Sequence, residues 1–340
     1  MPKITLKEIA ERAGVSKTAA SYAFNRPEQL SEETLARILT VADELGYSPD
    51  PVARNLKKRQ TGYIGILVPQ PLSIIMRNPH FLAFLEGVSL ECEKVGLSFM
   101  LVPPMKGNLR RAIVQAAVDG FLTVGLETFR ETMQILQQRD IPFVMVDSDP
   151  VENISCVNPD DENGAYQAMA HVLARGHEEI VILGIRSGVF GHFDDYVGTL
   201  RRRMDGYQRA LAESGLSLRS RKIRLIECEC ESQGGYQAMQ QIWELKHRPT
   251  GIVAMADILA IGALQAARRA GIMVPQEVGI VGYDDIPASA LTCPTLTTVH
   301  QPILEKGRVA AQLLVDHLLH HDETAQHVVL SVELIERESC

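Results

Sequence analysis

Apolar positions in the first 46 residues recur at helical spacing. Leu6, Ile9, Ala10 and Ala13 lie three and four residues apart, which predicts a short amphipathic helix ending at Gly14, a residue free to adopt the positive φ of a tight turn. Thr5, with Glu8 three residues later, forms the capping-box pattern that satisfies two otherwise orphaned amides. Ser16 opens a second short helix that sets Ala19, Ala20 and Ala23 against the first. A third begins near Ser31, turns Leu35, Ile38, Leu39, Ala42 and Leu45 inward, and stops at Gly46. The second helix has alanines on one side and Ser16, Lys17, Thr18, Ser21 and Tyr22 on the other. Small residues behind and hydrogen-bonding residues in front describe a helix pressed closely onto its neighbour while its outer face meets something polar. Two short helices joined by a glycine turn make a helix-turn-helix, whose outer face fits a DNA major groove. An ordinary helical hairpin is the competing reading of the same pattern.

From Tyr63 the period changes. Short β-rich runs ("YIGILV", "SFMLV", "FLTV", "FVMV", then "EIVIL", "IRLI", "GIVAM", "VGIVGY") alternate with amphipathic stretches such as "FLAFLEGVSLECEKVG", "ENGAYQAMAHVLARG" and "LAIGALQAARRAG". That alternation predicts parallel sheets wrapped by helices. About eight such units exceed one open sheet of usual size, so two doubly wound lobes are expected. A helix, "ILEKGRVAAQLLVDHLL", and one last strand, "VVLSVELIERE", complete the chain.

The segment "YSPDPVARNLKKRQTG" joins the two patterns. Pro49 and Pro51 stop the third helix, and Pro51 can begin one further turn through Val52, Ala53, Arg54, Asn55 and Leu56. A helix this short is unstable alone in water. An exposed Leu56 followed by Lys57, Lys58 and Arg59 suits a piece that orders against DNA, with the basic residues on phosphates and the leucine wedged into the minor groove. A plain charged linker is the alternative.

Charge supports this division. Residues 1–61 carry 10 Lys and Arg against 8 Asp and Glu, a net of +2, whereas the remaining 24 and 34 give −10. A slightly basic head on an acidic body implies an anionic partner at the amino terminus alone. Hydrophobic content of 46% and charged content of 22% belong to a folded chain. No run resembles a signal peptide or a bilayer-spanning segment, so a cytoplasmic location with no membrane partner is expected. Six scattered cysteines, with one C-x-C pair at Cys228 and Cys230, read as reduced thiols rather than a metal site.

The run "ITLKEIAERAGVSKTAASYAFN", the S-x-x-T at Ser31–Thr34, "ADELGYSPDPVARNL" and "VGYDDIP…PTLTTVHQP" resemble the LacI/GalR family of bacterial transcription regulators over essentially the whole chain. The resemblance implies a small all-α helix-turn-helix head plus an α/β body of two parallel-sheet lobes, periplasmic-binding-protein-like, with a cleft between them. It places the head at 1–46, a hinge segment at 47–61 and an effector-binding and dimerisation domain at 62–340. Within that domain the N-lobe takes about 62–160 and 293–322, and the C-lobe about 161–292 and 323–340. It implies a homodimer on a pseudo-palindromic double-stranded operator. Bases would be read by Lys17, Thr18 and Tyr22, and phosphates contacted around Thr5, Leu6, Ser16, Ser21, Asn25, Ser31 and Thr34. Leu56, on the same DNA-facing turn as Ala53 and Arg54, would enter the minor groove. Where the family commonly has Thr-Val-Ser-Arg, this chain has Ala19-Ala20-Ser21-Tyr22, so a guanine-reading arginine is replaced by tyrosine and the operator sequence does not carry over.

In open parallel sheets ligands bind beyond the carboxyl ends of strands. Asp147 follows "FVMV" and Asp284 ends "VGIVGY". Paired carboxylates there can accept the adjacent hydroxyls of a sugar, with a helix cap or loop aspartate as the plain alternative for each. The resemblance adds Arg203 from R-x-x-G-aromatic, Tyr236 as a stacking aromatic, and Phe81 in "NPHF"; core packing is the rival for the two aromatics. Arg201 and Arg202 read as a solvated helix face, and Ala256 stands where the family often has Asn. No G-x-S-x-G, H-E-x-x-H or phosphate-binding glycine loop occurs, so neither catalysis nor a cofactor nor a metal is expected. The expected function is a repressor whose operator affinity is set by a small effector, a sugar or polyol. A cytosolic binding protein or enzyme with a helical dimerisation head is the alternative.

Overall fold

The computed structural model describes residues 4–47, 60–125, 130–186 and 196–340, apart from the side chains of Arg130 and Glu131. The expected hinge turn, with Ala53, Arg54 and Leu56, lies outside the described residues. Contacts divide the chain into two units, Met1–Thr61 and Gly62–Cys340.

The first unit contains α1 (Leu6–Ala13), α2 (Lys17–Asn25) and α3 (Glu32–Glu44). Thr5 and Glu8 form the expected capping box, and Gly14 takes φ 66° to turn the chain. The core consists of Ile9, Ala10, Ala13, Ala20, Ala23, Ile38 and Ala42. Most of these side chains are alanines, which lets the short helices cross closely enough to exclude water. Leu39 departs from expectation: it is 43% exposed, one position round the helix from buried Ile38.

The second unit holds two six-stranded sheets. The first contains β1 (Tyr63–Leu67), β2 (Ser98–Val102), β3 (Gly120–Val124), β4 (Phe143–Val146), β5 (Cys156–Pro159) and β11 (His327–Leu330), in the order β11-β5-β4-β3-β1-β2. The second contains β6 (Ile180–Ile185), β7 (Ile223–Cys228), β8 (Gly251–Ala254), β9 (Gly279–Asp284), β10 (Thr297–His300) and β12 (Glu333–Ile335), in the order β12-β10-β9-β8-β6-β7. Among the described residues, the strand pairings within these two sheets are parallel except β10 with β12. The two sheets thus repeat one strand order, and β4 and β9 occupy equivalent places.

Around the first sheet lie α4 (Leu72–Ile75), α5 (Pro79–Val95), α6 (Leu109–Gln115), α7 (Arg130–Gln138) and α12 (Ile303–His320). Around the second lie α8 (Asp161–Ala174), α9 (Gly198–Glu213), α10 (Ser232–Trp243) and α11 (Asp257–Ala270). Helices α5 and α12 cross backbone to backbone. A methyl group on Gly87 would fall on the Leu304 carbonyl oxygen, and one on Gly307 on the Phe84 carbonyl oxygen.

The lobe boundaries differ from the expected ones. Thr297–His300 pairs with β9, Thr297 opposite Val281, and so belongs to the second lobe. His327–Leu330 pairs with β5, His327 opposite Cys156, and belongs to the first. The run "VVLSVELIERE" is therefore two strands on different sheets rather than one. The chain crosses between lobes after β5, after β10 and between β11 and β12.

Candidate DNA-reading head and effector cleft

On α2 the side chains of Lys17 and Thr18 are exposed, while Ser21, Tyr22 and Asn25 are half-buried along the same outer face. Ser16 Oγ accepts the Ala19 amide at 3.1 Å and fixes the helix start. Asn25 Nδ2 turns back onto its own helix, donating to the Ser21 carbonyl at 2.9 Å. Ser31 Oγ accepts the Thr34 amide at 3.3 Å and donates to Thr34 Oγ1 at 2.9 Å. Thr5 donates its amide and hydroxyl to Glu8 at 2.6 and 2.9 Å, and these bonds hold the Glu8 carboxyl below its usual range. Leu6 packs against the head core. Of the expected phosphate contacts, Thr5, Leu6, Ser16, Ser31 and Thr34 lie at three capped helix starts, where oriented amides favour an anion, while Ser21 lies mid-way along α2 and Asn25 ends it.

In the body, the two strand-end aspartates both take positive φ: Asp147, directly after β4, at 55° and Asp284, the last residue of β9, at 125°. Lys306, on α12, brings Nζ to 2.8 Å from each Asp147 carboxylate oxygen and to 3.5 Å from His80 Nε2. Burial opposes the Asp147 charge, but Lys306 beside it holds the carboxyl below its ordinary value. Burial and then the Lys306 charge press His80 down to about 3, so the imidazole is neutral and can accept from the ammonium. Asp284 Oδ1 accepts Gln301 Nε2 at 2.5 Å. Burial raises the Asp284 carboxyl to about 8 against the opposing pull of Arg203. Gln301 stands at the second crossover, beside His80, so polar side chains run from one lobe's aspartate to the other's.

Arg203 is 5% exposed and already engaged. Its Nε donates to Asp161 at 3.0 Å, one terminal nitrogen donates to the Met255 carbonyl, and its Cζ lies 3.7 Å from the Tyr283 ring centroid. Burial opposes the guanidinium charge, and Asp161 secures it. Arg203 is thus held by Asp161 and the Met255 carbonyl, within electrostatic reach of Asp284.

Two expected residues stand apart from this cluster. Phe81 is 6% exposed in the first-lobe core, its ring 6.0 Å from that of Phe84. Pro79 starts α5, and one residue of helical rotation sends His80 to the polar cluster and Phe81 into the core. Tyr236 packs against Arg269, in the last turn of α11, with 5.4 Å from the guanidinium to its ring centroid. Arg201 pairs with Asp205 at 2.9 Å on the surface, but Arg202 is not a solvated face: it donates to Asp149 at 2.8 Å and to Asp161 at 3.3 Å. Ala256 precedes α11 without a side-chain cap. The adjacent Asp257 instead accepts from Ser289, Thr298 and the Ile286 amide, pinning the loop after β9.

Residues 5–50 match the model of bacterial regulatory proteins, lacI family, and residues 169–340 match the periplasmic binding protein-like domain. The HTH-type transcriptional repressor PurR of Photobacterium profundum is 31% identical over 343 residues, which is 98% of each chain. The chain belongs to the lacI family of bacterial regulatory proteins. It is a DNA-binding transcriptional repressor of that family, not an enzyme. The transcriptional regulator CelR, solved with cellobiose, is 25% identical, with 99% of this chain and 100% of that chain covered and a TM-score of 0.73. A lacI-family regulator from Enterococcus faecium with bound ribose is 26% identical, with 82% and 98% covered and a TM-score of 0.71. No helix among the described residues is long and apolar enough to cross a membrane.

Sequence reasoning missed His80, Asp161, Gln301 and Lys306. Lys306 had a legible signal: its spacing from Ile303, Gly307 and Ala310 puts a charged residue on the buried stripe of α12.

Proposed function

We propose that two copies of the chain bind a pseudo-palindromic operator through α2, and that a small polyhydroxy effector held between the lobes sets the affinity. In this reading Lys17, Thr18 and Tyr22 read base edges, and Thr5, Leu6, Ser16, Ser21, Asn25, Ser31 and Thr34 lie along the phosphates. Asp147 and Asp284 accept effector hydroxyls, with Arg203 as support behind them. The observation that carries the reading is the placement of Asp147 and Asp284 at equivalent strand ends of two sheets with one strand order, joined through Lys306, His80 and Gln301. A ligand hydrogen-bonded to both Asp147 and Asp284 favours one lobe arrangement over another, which is what linkage to a distant DNA site requires. CelR with cellobiose and the Enterococcus faecium regulator with ribose support a sugar. The PurR relatives are closer in identity than either, so the screen must be broader than sugars.

The test has two parts. Fluorescence anisotropy in rising salt should show affinity falling steeply, with one palindrome preferred over random duplex. Equal binding to every duplex overturns the assignment of the head. Thermal shift against sugars, nucleosides, nucleobases and sugar phosphates then identifies the effector, because a ligand at about 100 times its Kd stabilises the native state by about 2.7 kcal/mol.

A further inference from the structure

We infer that Arg202 is a latch between the lobes, tying Asp149 of the first lobe to the first crossover at Asp161. Arg202 lies in the opening turns of α9, a second-lobe helix, and its side chain is 23% exposed. One terminal nitrogen donates to Asp149 Oδ1 at 2.8 Å, on the loop between β4 and β5 of the first lobe. The other donates to Asp161 Oδ2 at 3.3 Å and to Thr199 Oγ1 at 3.0 Å, while Nε reaches the same Asp161 oxygen at 3.4 Å. Thr199 in turn donates to the Asp147 carbonyl at 3.3 Å. The start of α9 is thus tied to the β4–β5 loop by two contacts that cross the lobe boundary.

The two ends of the arginine differ in what holds them. Asp161 is fully buried and also pairs with Arg203 at 3.0 Å, and α8, which it opens, packs in the second-lobe core. That end moves with the second lobe. Asp149 is 67% exposed, so its end faces water and is the one that yields when the lobes separate. Such a pair is weak and salt-screened. It biases the lobe arrangement about two- to five-fold rather than locking it. The step from lobe arrangement to operator affinity rests on the function proposed above; the latch itself does not.

Because Asp149 is exposed, its variants should fold, with melting temperatures matching wild type as the control. Small-angle scattering of the ligand-free full-length chain should show a larger radius of gyration for Asp149→Lys and Asp149→Asn, and a wild-type value for Asp149→Glu. Wild type should expand between about 50 mM and about 500 mM salt, while Asp149→Asn stays constant. Scattering from Asp149→Lys identical to wild type overturns the latch. Operator affinity of Asp149→Lys should shift about two- to five-fold at fixed salt. Expanded scattering with unchanged operator affinity upholds the latch and overturns the proposed coupling of lobes to DNA.

Discussion

Lys306 places its ammonium 2.8 Å from both carboxylate oxygens of Asp147, across 159 residues of sequence. The lysine side chain is 2% exposed and the aspartate 15%; the lysine lies on a helix whose other inward residues are Ile303, Gly307, Ala310, Ala311, Leu314 and Val315. A lysine on an apolar stripe is costly unless its charge is met, and here Asp147 and neutral His80 meet it. Lys306→Met removes the cation and leaves a poorly hydrated carboxylate. The expected loss is about 2–4 kcal/mol, below that of a fully buried pair because Asp147 keeps some solvent. Adding Asp147→Asn should recover more than half of it. Urea denaturation of the three variants measures both effects, and an additive double mutant would deny the coupling.

Asp284 gives stability a specific pH dependence. Its carboxyl is raised from 3.8 to about 8 by burial. Between those values the folded chain keeps a proton that the unfolded chain has released. The stabilising contribution of that proton is complete below about 4 and is lost as pH rises through about 8. Asp284→Asn has no such proton to lose. Its stability relative to wild type should therefore improve from about pH 5 to about pH 9, by on the order of a few kcal/mol. Denaturation curves at the two pH values test this, and a constant difference would place the titration elsewhere.

Much of this architecture is written in local patterns. The β-branched runs of β1, β3, β4, β6 and β9 announce themselves, as do the caps at Thr5, Ser16 and Ser31. "VVLSVELIERE" hides a boundary because Ser331 and Val332 do not break a strand; the change of sheet is made by pairing partners far along the chain. β5 and β10 are the short runs CVNP and TTVH, which lack the consecutive apolar residues that mark the equally short β4 and β8. At the candidate site, strand-end position together with the family resemblance singled out Asp147 and Asp284. His80 and Gln301 carry no periodic signal, and Arg202 reads as one of three consecutive arginines until Asp149 and Asp161 are seen beside it.

The crossing of α5 and α12 sets a limit on substitution in the first lobe. Gly87 and Gly307 sit where each helix meets the other's backbone, against Leu304 and Phe84. Backbone cannot move aside as a flexible side chain can. Gly87→Ala should therefore separate the helices and destabilise the second unit by about 1–3 kcal/mol or more, although alanine is the better helix former. Thermal unfolding followed by circular dichroism checks the sign. A gain in stability would mean that helix propensity outweighs the clash.

In the proposed function, Lys17 distinguishes two kinds of DNA contact. It is the first residue of α2, exposed, and preceded by the Ser16 cap; in that reading its ammonium meets either a base edge or a phosphate. The two contacts leave different marks on binding. Loss of a phosphate contact weakens all duplexes alike and reduces the salt slope by about one. Loss of a base contact lowers the preference for the palindrome by about 1–3 kcal/mol at one position and leaves non-specific binding intact. Lys17→Ala is expected to follow the second pattern, since Thr18 and Tyr22 share its outer face and the capped helix starts already offer amides to phosphate. Ser16→Ala is the contrasting variant: it removes the bond to Ala19, costs about 1 kcal/mol in helix stability, and should weaken every duplex together. Anisotropy titrations of both variants on the palindrome and on random duplex, at several salt concentrations, distinguish reader from cap. Parallel losses for the two would assign Lys17 to the phosphate backbone.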